Sequence, residues 1–385
     1  MKKTYVYSND VDSQTLEQFK SCVNQKYVQS AALMPDAHLG YAAPIGAVLQ
    51  TKGFVVPAWV GFDIGCGVCA LKLSASLNEI KKNAKKIHSS VSKKVPMGMG
   101  QKNSKKNISL DSLEKLSKLI EKYRKEPNNK SLFNFFKQAA EQHLGTLGGG
   151  NHFVELATSG KDVWLVIHSG SRGIGHRIAT YYMQEAAKIA GKSEIEETNA
   201  LSADSDLGKE YIAAQNICLE YALLNRMEMA SKIVETISKV LGKKIKYSLW
   251  TNKNHNHVIL ERGLFVHRKG ATPANKGERG VIPGNMRDGS VLVEGKGNKD
   301  FLYSSSHGAG RLMSRRDAVQ NISLEQFKYS MSDIVATVSE ATLNEAPQAY
   351  KSLSLVMQAQ KKSVKIVKEI KPIINWKGVE QRYRD

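Results

Sequence analysis

Between Pro35 and Arg311 a series of short stretches, all but one of them glycine-rich, each borders an apolar run and carries a histidine, cysteine or aspartate. They read GFDIGCG (61–67), GGGNHF (148–153), VIHSGSRG (166–173), NKNHNHVI (252–259) and SHGAGR (306–311). Helix-compatible sequence interrupts the series rather than following it. Cutting the chain into consecutive domains would therefore scatter ligand-type residues among separate units. The reading that keeps them together is one interleaved α+β domain over residues 1–385. In it, central β-sheets flanked by helices bring loops distant in sequence to one site.

The texture between those stretches supports the same plan. Residues 31–73 are rich in Val, Gly and Pro in runs of strand length. Residues 78–142 turn lysine-rich and helical, and SLEKLSKLIEKYRKE (112–126) has apolar residues at three- and four-residue spacing. Strand–turn–strand patterns follow around 144–176. Residues 176–242 form a second helical insertion, strongest in IAAQNICLEYALLNRMEMASKIVETISKVLG (212–242). Strands and turns return over 246–303, spacing predicts helix over 322–370, and a short tail occupies 379–385.

Lys and Arg number 56 against 36 Asp and Glu, a formal charge of +20 that favours a polyanionic partner, nucleic acid first. The basic block KKNAKKIHSS…QKNSKKN (81–90 and 101–107) is either a solvated face or a phosphate-binding fringe. No run of 18 apolar residues predicts a membrane span, and no apolar core follows Lys2 and Lys3 as in a secretory leader, so a cytoplasmic protein is expected. Four scattered cysteines, Cys22, Cys66, Cys69 and Cys218, do not make a disulfide framework.

Asp63, Cys66, His152, His168 and His255 each end an apolar run beside glycine or a small polar residue. A thiolate, a carboxylate and several imidazoles suit one or two borderline divalent ions such as Mn²⁺, Zn²⁺ or Co²⁺. Cys66 and Cys69 do not make a zinc ribbon, because no second CxxC exists. GTLGGGNH, HSGSRG and SHGAGR combine amide-exposing glycines with polar or basic side chains. Arg172 and Arg311 follow His168 and His307 by four residues, which marks them as phosphate or RNA contacts. By residue type alone, His307 is open to service as metal ligand, general base or nucleophile.

Taken in order, MPDAHLGYAAPIGAV, VGFDIGCGV, LGGGNHFVEL, IHSGSRGIG, HNH and SSSHGAGR resemble the RtcB-type RNA-splicing ligases, from about Pro35 to Gly378. The resemblance implies a dinuclear metal site and a GTP- and Mn²⁺-dependent ligase. Such an enzyme joins RNA 2′,3′-cyclic phosphate or 3′-phosphate ends to 5′-hydroxyl ends, in tRNA splicing or RNA repair. It implies two Mn²⁺ ions, one on Asp63, Cys66 and His152 and the other on Cys66, His168 and His255. It further implies His307 as the nucleophile that takes GMP from GTP. Guanylate contacts would come from Asn151, His152, Phe153, Val154 and Glu155, from His255 and Asn256, and from Pro283, Gly284, Asn285, Met286 and Ser290. His307, Gly308, Ala309, Gly310 and Lys377 would complete them. Expected partners are RNA and an archease-like activator, with the ligase itself a monomer. The chain departs from the family pattern at Arg287 and Asp288, where Gly-Thr is commoner.

Two rival functions use the same residues. A two-metal phosphoesterase would keep the ligands but need no nucleotide. A non-catalytic basic RNA-binding protein would hold its histidines structurally and bind no stoichiometric metal.

Overall fold

An eight-stranded sheet forms the centre of the computed structural model, which describes residues 2–8, 10–192 and 198–378. Its path runs Arg279–Pro283, Ser290–Gly295, Val364–Lys377, Phe153–Ser159, Asp162–Ser169, Gly67–Leu73 and Tyr247–Asn254. Val335–Ala336 adds in parallel beside Val364–Lys377. A five-stranded sheet contains Lys3–Val6, Val28–His38, Ile45–Thr51, Leu264–Lys269 and Asn256–Glu261. The chain crosses from the large sheet to the small one at His255, the one residue between Tyr247–Asn254 and Asn256–Glu261.

The strand Gly67–Leu73 shows how apolar pattern becomes position. Cys69, Leu71 and Leu73 pack with Leu165 and Ile167 against Met229, Ile233 and Ile237 of the helix Asp206–Leu241. Val68 and Ala70 face the other way, onto Trp164 and Val166. A strand covered on both faces reads as a near-continuous apolar run, as GVCALKL does. The helix behind it begins at Ser205, whose side chain accepts from the Gly208 N–H, and stops at Gly242 in the left-handed conformation (φ 67°). The expected α+β architecture is what the chain adopts.

Helices Leu77–Lys82, Ala84–Lys94, Leu110–Lys125 and Lys130–His143 occupy the first lysine-rich region, and Gly173–Ile189 and Asp206–Leu241 the second. The expectation of helix over 322–370 needs correction. Only Leu324–Ser330 and Leu353–Ala359 are α-helical there, and the stretch ends in the strand Val364–Lys377. Its β-branched residues, among them Val364, Ile366, Val367 and Ile370, favour the pleated conformation. Backbone partners wait on both sides, in Ser290–Gly295 and Phe153–Ser159. No described helix is long and apolar enough to cross a membrane.

Candidate active site

Four neighbouring strands of the large sheet place the ligand-type residues at one end of it. Phe153–Ser159 begins just after His152, Asp162–Ser169 ends just after His168, Gly67–Leu73 begins after Cys66, and Tyr247–Asn254 ends before His255. Because each neighbour is antiparallel, two starts and two ends coincide. Phe153 and Val68 both lie in register with His168, and Gly67 lies between Ser169 and Asn254.

The side chains then meet. Cys66 Sγ lies 3.3 Å from His152 Nε2 and 3.1 Å from His168 Nε2. His152 Nε2 is 2.9 Å from Asp63 Oδ2, and His168 Nε2 is 3.3 Å from His255 Nε2. The donor atoms of Cys66, His152 and His168 all fall within 4.8 Å of one another, close enough to share an ion. Second contacts orient the rings: His168 Nδ1 meets the Asn151 carbonyl at 3.2 Å, and His152 Nδ1 meets Arg172 at 3.1 Å. Arg172 approaches so closely that a Cβ on Gly148 would overlap its guanidinium at 1.6 Å, which explains a glycine there.

Burial sets the protonation states. It lowers His168 and His255 well below the usual imidazole range, so both rings are neutral at physiological pH. Burial, and then the charge of Asp63, raises the Cys66 thiol. Burial would raise Asp63 as well, but His152 and Arg172 more than reverse it and hold that carboxylate ionised.

His307 stands on the rim of this cluster, its ring centroid 4.7 Å from that of His255. Its Nδ1 pairs at 2.7 Å with Oδ2 of Asp36, which also accepts the backbone N–H groups of His307 and Gly308 at 3.2 and 3.3 Å. Asp36 is fully buried, in the irregular end of the strand Val28–His38 where its pairing with Ile45–Thr51 shifts register. A side chain on Gly310 (φ 78°) would strike the Asp36 carbonyl oxygen at 2.2 Å, so the glycine turn can press against the aspartate only without one.

Asp63, Cys66, His168, His255 and His307 line a cleft of about 800 Å³, whereas Asp36 and His152, the latter an expected guanylate contact, do not border it. Of the expected guanylate contacts, Asn151, Phe153, Glu155, His255 and Asn256 border it, as do Pro283 to Met286, Ser290, the 307–310 turn and Lys377. Val154 differs: its side chain packs in the core with Leu156 and Trp376, on the opposite side of its strand. Glu155 is buried, its Oε1 without a hydrogen-bond partner among the described residues, and burial pushes its carboxyl up to about 8 against the pull of the Asn375 amide and the Ser290 hydroxyl. Asn285 caps its own turn, accepting from the N–H groups of Arg287 and Asp288 and donating to the Asp288 carboxylate at 2.7 Å. Arg311 is engaged by Glu345, the Asn344 carbonyl and the ring of Tyr350. Cys69, buried in the core, is far from any ligand role, and burial pushes its thiol up to about 12. The tail Val379 to Asp385 lies outside the described residues.

Several residues that shape the site had no place in the sequence-based expectations. Asp36 lies inside the quoted stretch MPDAHLG, yet nothing local pairs it with a histidine so far along the chain. Glu345 is buried beneath the cleft and pairs with Lys377 at 2.7 Å and Arg315 at 2.8 Å. Asn225 and Arg226 sit mid-helix and fully buried. Arg226 donates to the carbonyls of Gly65 and Ser169 and to the side chains of Asn252 and Asn254. Asn225 accepts from the Gly145 and Thr146 N–H groups and donates to the Gly170 carbonyl. Together they tie down the approaches to all four ligand-bearing strand ends. A polar pair on the buried face of an apolar helix was the available signal.

The chain matches the family model described as tRNA-splicing ligase RtcB over residues 18–378. It is 33% identical over 378 residues to the RNA-splicing ligase RtcB of Escherichia coli K12, covering 90% of each chain. Identity to the tRNA-splicing ligase RtcB of Nanoarchaeum equitans is 29% over 426 residues, 92% of this chain and 89% of that one. RNA-splicing ligase RtcB homolog 1 of Entamoeba histolytica is 28% identical over 442 residues, with 94% and 84% covered.

Proposed function

Since the chain belongs to the RtcB family of RNA- and tRNA-splicing ligases, and is an RNA ligase on that ground, we propose that it seals RNA through a GMP carried on His307. The substrates in this reading are a 3′-phosphate end, or a 2′,3′-cyclic phosphate opened to one, and a 5′-hydroxyl end. The observation that carries it is the pairing of His307 Nδ1 with Asp36 at 2.7 Å. The Nδ1 proton is donated to the carboxylate, so the Nε2 lone pair is left for attack.

Nε2 attacks the α-phosphorus of GTP. An N–P bond forms as the bond to pyrophosphate breaks, and Asp36 offsets the positive charge that develops on the ring. An oxygen of the RNA 3′-phosphate then takes the GMP from His307, giving a phosphoanhydride and restoring the neutral imidazole. The RNA 5′-hydroxyl attacks the RNA phosphorus, loses its proton, and expels GMP to leave a phosphodiester.

The residues fit the groups this chemistry requires. Asp63, Cys66, His152, His168 and His255 would hold the metal, two Mn²⁺ ions in this reading, since a sulfur, three imidazoles and a carboxylate suit a borderline cation. Bound metal supplies Lewis-acid stabilisation of charge on the phosphate oxygens. Glu155 Oε1 and Asn375 Oδ1, buried at the cleft without partners among the described residues, are suited to the polar edge of a guanine.

Incubation with α-labelled GTP and Mn²⁺ tests the reading. We expect a protein–GMP adduct that is acid-labile and stable to alkali, absent in His307→Ala. Phosphoesterase activity without GTP and without an adduct would favour the two-metal hydrolase instead.

A further inference from the structure

Two lysine-rich regions lie side by side in the first helical insertion, and their charges are handled differently. Along Leu110–Lys125 all the cations but Lys125 are neutralised locally: Lys115 pairs with Asp111 at 2.6 Å, Lys118 with Glu114 at 2.6 Å, and Arg124 with Glu121 at 2.8 Å. Lys122 pairs with Glu220. That helix is a solvated face.

The stretch before it is not neutralised. Lys93, Lys94, Lys102 and Lys106 are exposed and have no ion pair among the described residues. The nearby acids are already engaged, Glu79 with Lys243 and Glu141 with Lys105. Lys93, Lys94 and Lys102 border a groove of about 570 Å³ whose other walls include Gln101, Asn103 and Ser104. No carboxylate lines it among the described residues.

The groove adjoins the active-site cleft. Lys377 borders both. The helix Ala84–Lys94 is anchored to that lysine's strand by Trp376, which donates to the His88 carbonyl at 3.0 Å and stacks on the His88 ring at 5.4 Å. The loop at Pro96 and Gly98 is hydrogen-bonded to Leu147 and Gly148, at the approach to His152. The basic wall is therefore held in fixed relation to the site rather than carried on a free arm.

We propose that this groove binds the ribose-phosphate backbone of the RNA strand whose end occupies the cleft, with Lys93, Lys94 and Lys102 on successive phosphates. Clustered cations facing a channel whose described walls carry no carboxylate attract a polyanion, and polar amides and hydroxyls between them suit sugar and phosphate oxygens. The proposal rests on the ligase reading for which strand is bound, but the groove's affinity for RNA can be measured without catalysis.

The test is binding of a fluorescein-labelled single-stranded RNA bearing a 3′-phosphate, followed by anisotropy over a potassium chloride series. Wild type is compared with Lys93→Gln/Lys94→Gln/Lys102→Gln and with a control, Lys115→Gln/Lys118→Gln. Three lost phosphate contacts should reduce the slope of log K against log salt by about 2 in the groove variant. The control should keep the wild-type slope, and GMP-adduct formation should be the same in all three proteins. An unchanged slope in the groove variant, or an equal loss in the control, overturns the proposal; the first result is also what a groove built for an acidic protein would give. Absence of the GMP adduct in wild type, with the slope difference intact, would sink the ligase reading while leaving the groove an RNA-binding surface.

Discussion

Asp36 and His307 are 271 residues apart in sequence, and their side chains meet at 2.7 Å with the aspartate fully buried. The carboxylate fixes which ring nitrogen carries the proton and which way the ring points. Asp36→Asn replaces it with a neutral amide that can donate to Nδ1 and reverse the tautomer. GMP-adduct formation should slow by about 10²- to 10⁴-fold, the range a positioned proton partner contributes. Metal content should stay near wild type, since Asp36 touches none of the proposed ligands. An unchanged adduct rate would show that the ring needs no such partner.

Cys66 and Cys69 look alike in sequence and differ completely in setting. Cys66 touches two imidazoles, whereas Cys69 is packed among Leu71 and Ile167 in the core. Cys66→Ala should therefore remove metal from both positions, measured by elemental analysis after gel filtration. Cys69→Ala should retain it and lose about 1 kcal/mol of stability. Equal metal loss in the two variants would point to a Cys-x-x-Cys centre instead.

The contrast marks what was legible in the sequence. Cys66, His152, His168 and His255 were recognisable because each stands at the end of a strand-like run beside glycine or a small polar residue, and strand ends are where antiparallel pairing gathers residues. The α+β class followed from helices interrupting a series of strand-like runs. Asp36, Glu345, Asn225 and Arg226 were not legible, because their partners are brought in by tertiary pairing across tens to hundreds of residues. The strand Val364–Lys377 was misread because its Val, Ile and Lys spacing also satisfies a helical period. Its conformation is decided by the strands on either side.

Glu345 gives a pH-dependent prediction. Burial alone would raise its carboxyl, but Lys377, then Arg315 and Arg311, pull it from 4.5 down to about 2. A carboxyl that titrates lower in the folded chain than in the unfolded one stabilises the fold fully above about pH 4.5. That contribution drains away as pH falls towards 2. Glu345→Gln should remove this component of the acid limb and, by leaving buried Lys377 unpaired, destabilise the protein at neutral pH by about 3–5 kcal/mol. Adding Lys377→Met should recover part of the loss. Thermal melts from acid to neutral pH check both, and a wild-type acid limb in Glu345→Gln would assign it to other carboxyls.

Asn225 and Arg226 provide the test of whether the ligand geometry is held from behind. Removing Arg226 leaves the Gly65 and Ser169 carbonyls without their donor, next to Cys66 and His168 respectively. Unsatisfied buried groups cost about 1–3 kcal/mol each, so Arg226→Met should be strongly destabilising. The more discriminating readout is metal affinity at a temperature where the variant remains folded. Partners behind metal ligands typically alter affinity by about 10- to 100-fold, and a loss of that size is expected here. Arg226→Lys, which keeps the charge but reaches fewer of the four acceptors, should fall between wild type and Arg226→Met. If Arg226→Met is destabilised yet binds Mn²⁺ as tightly as wild type, the helix supports the core without setting the ligand positions, and the four strand ends must be positioned by sheet pairing alone.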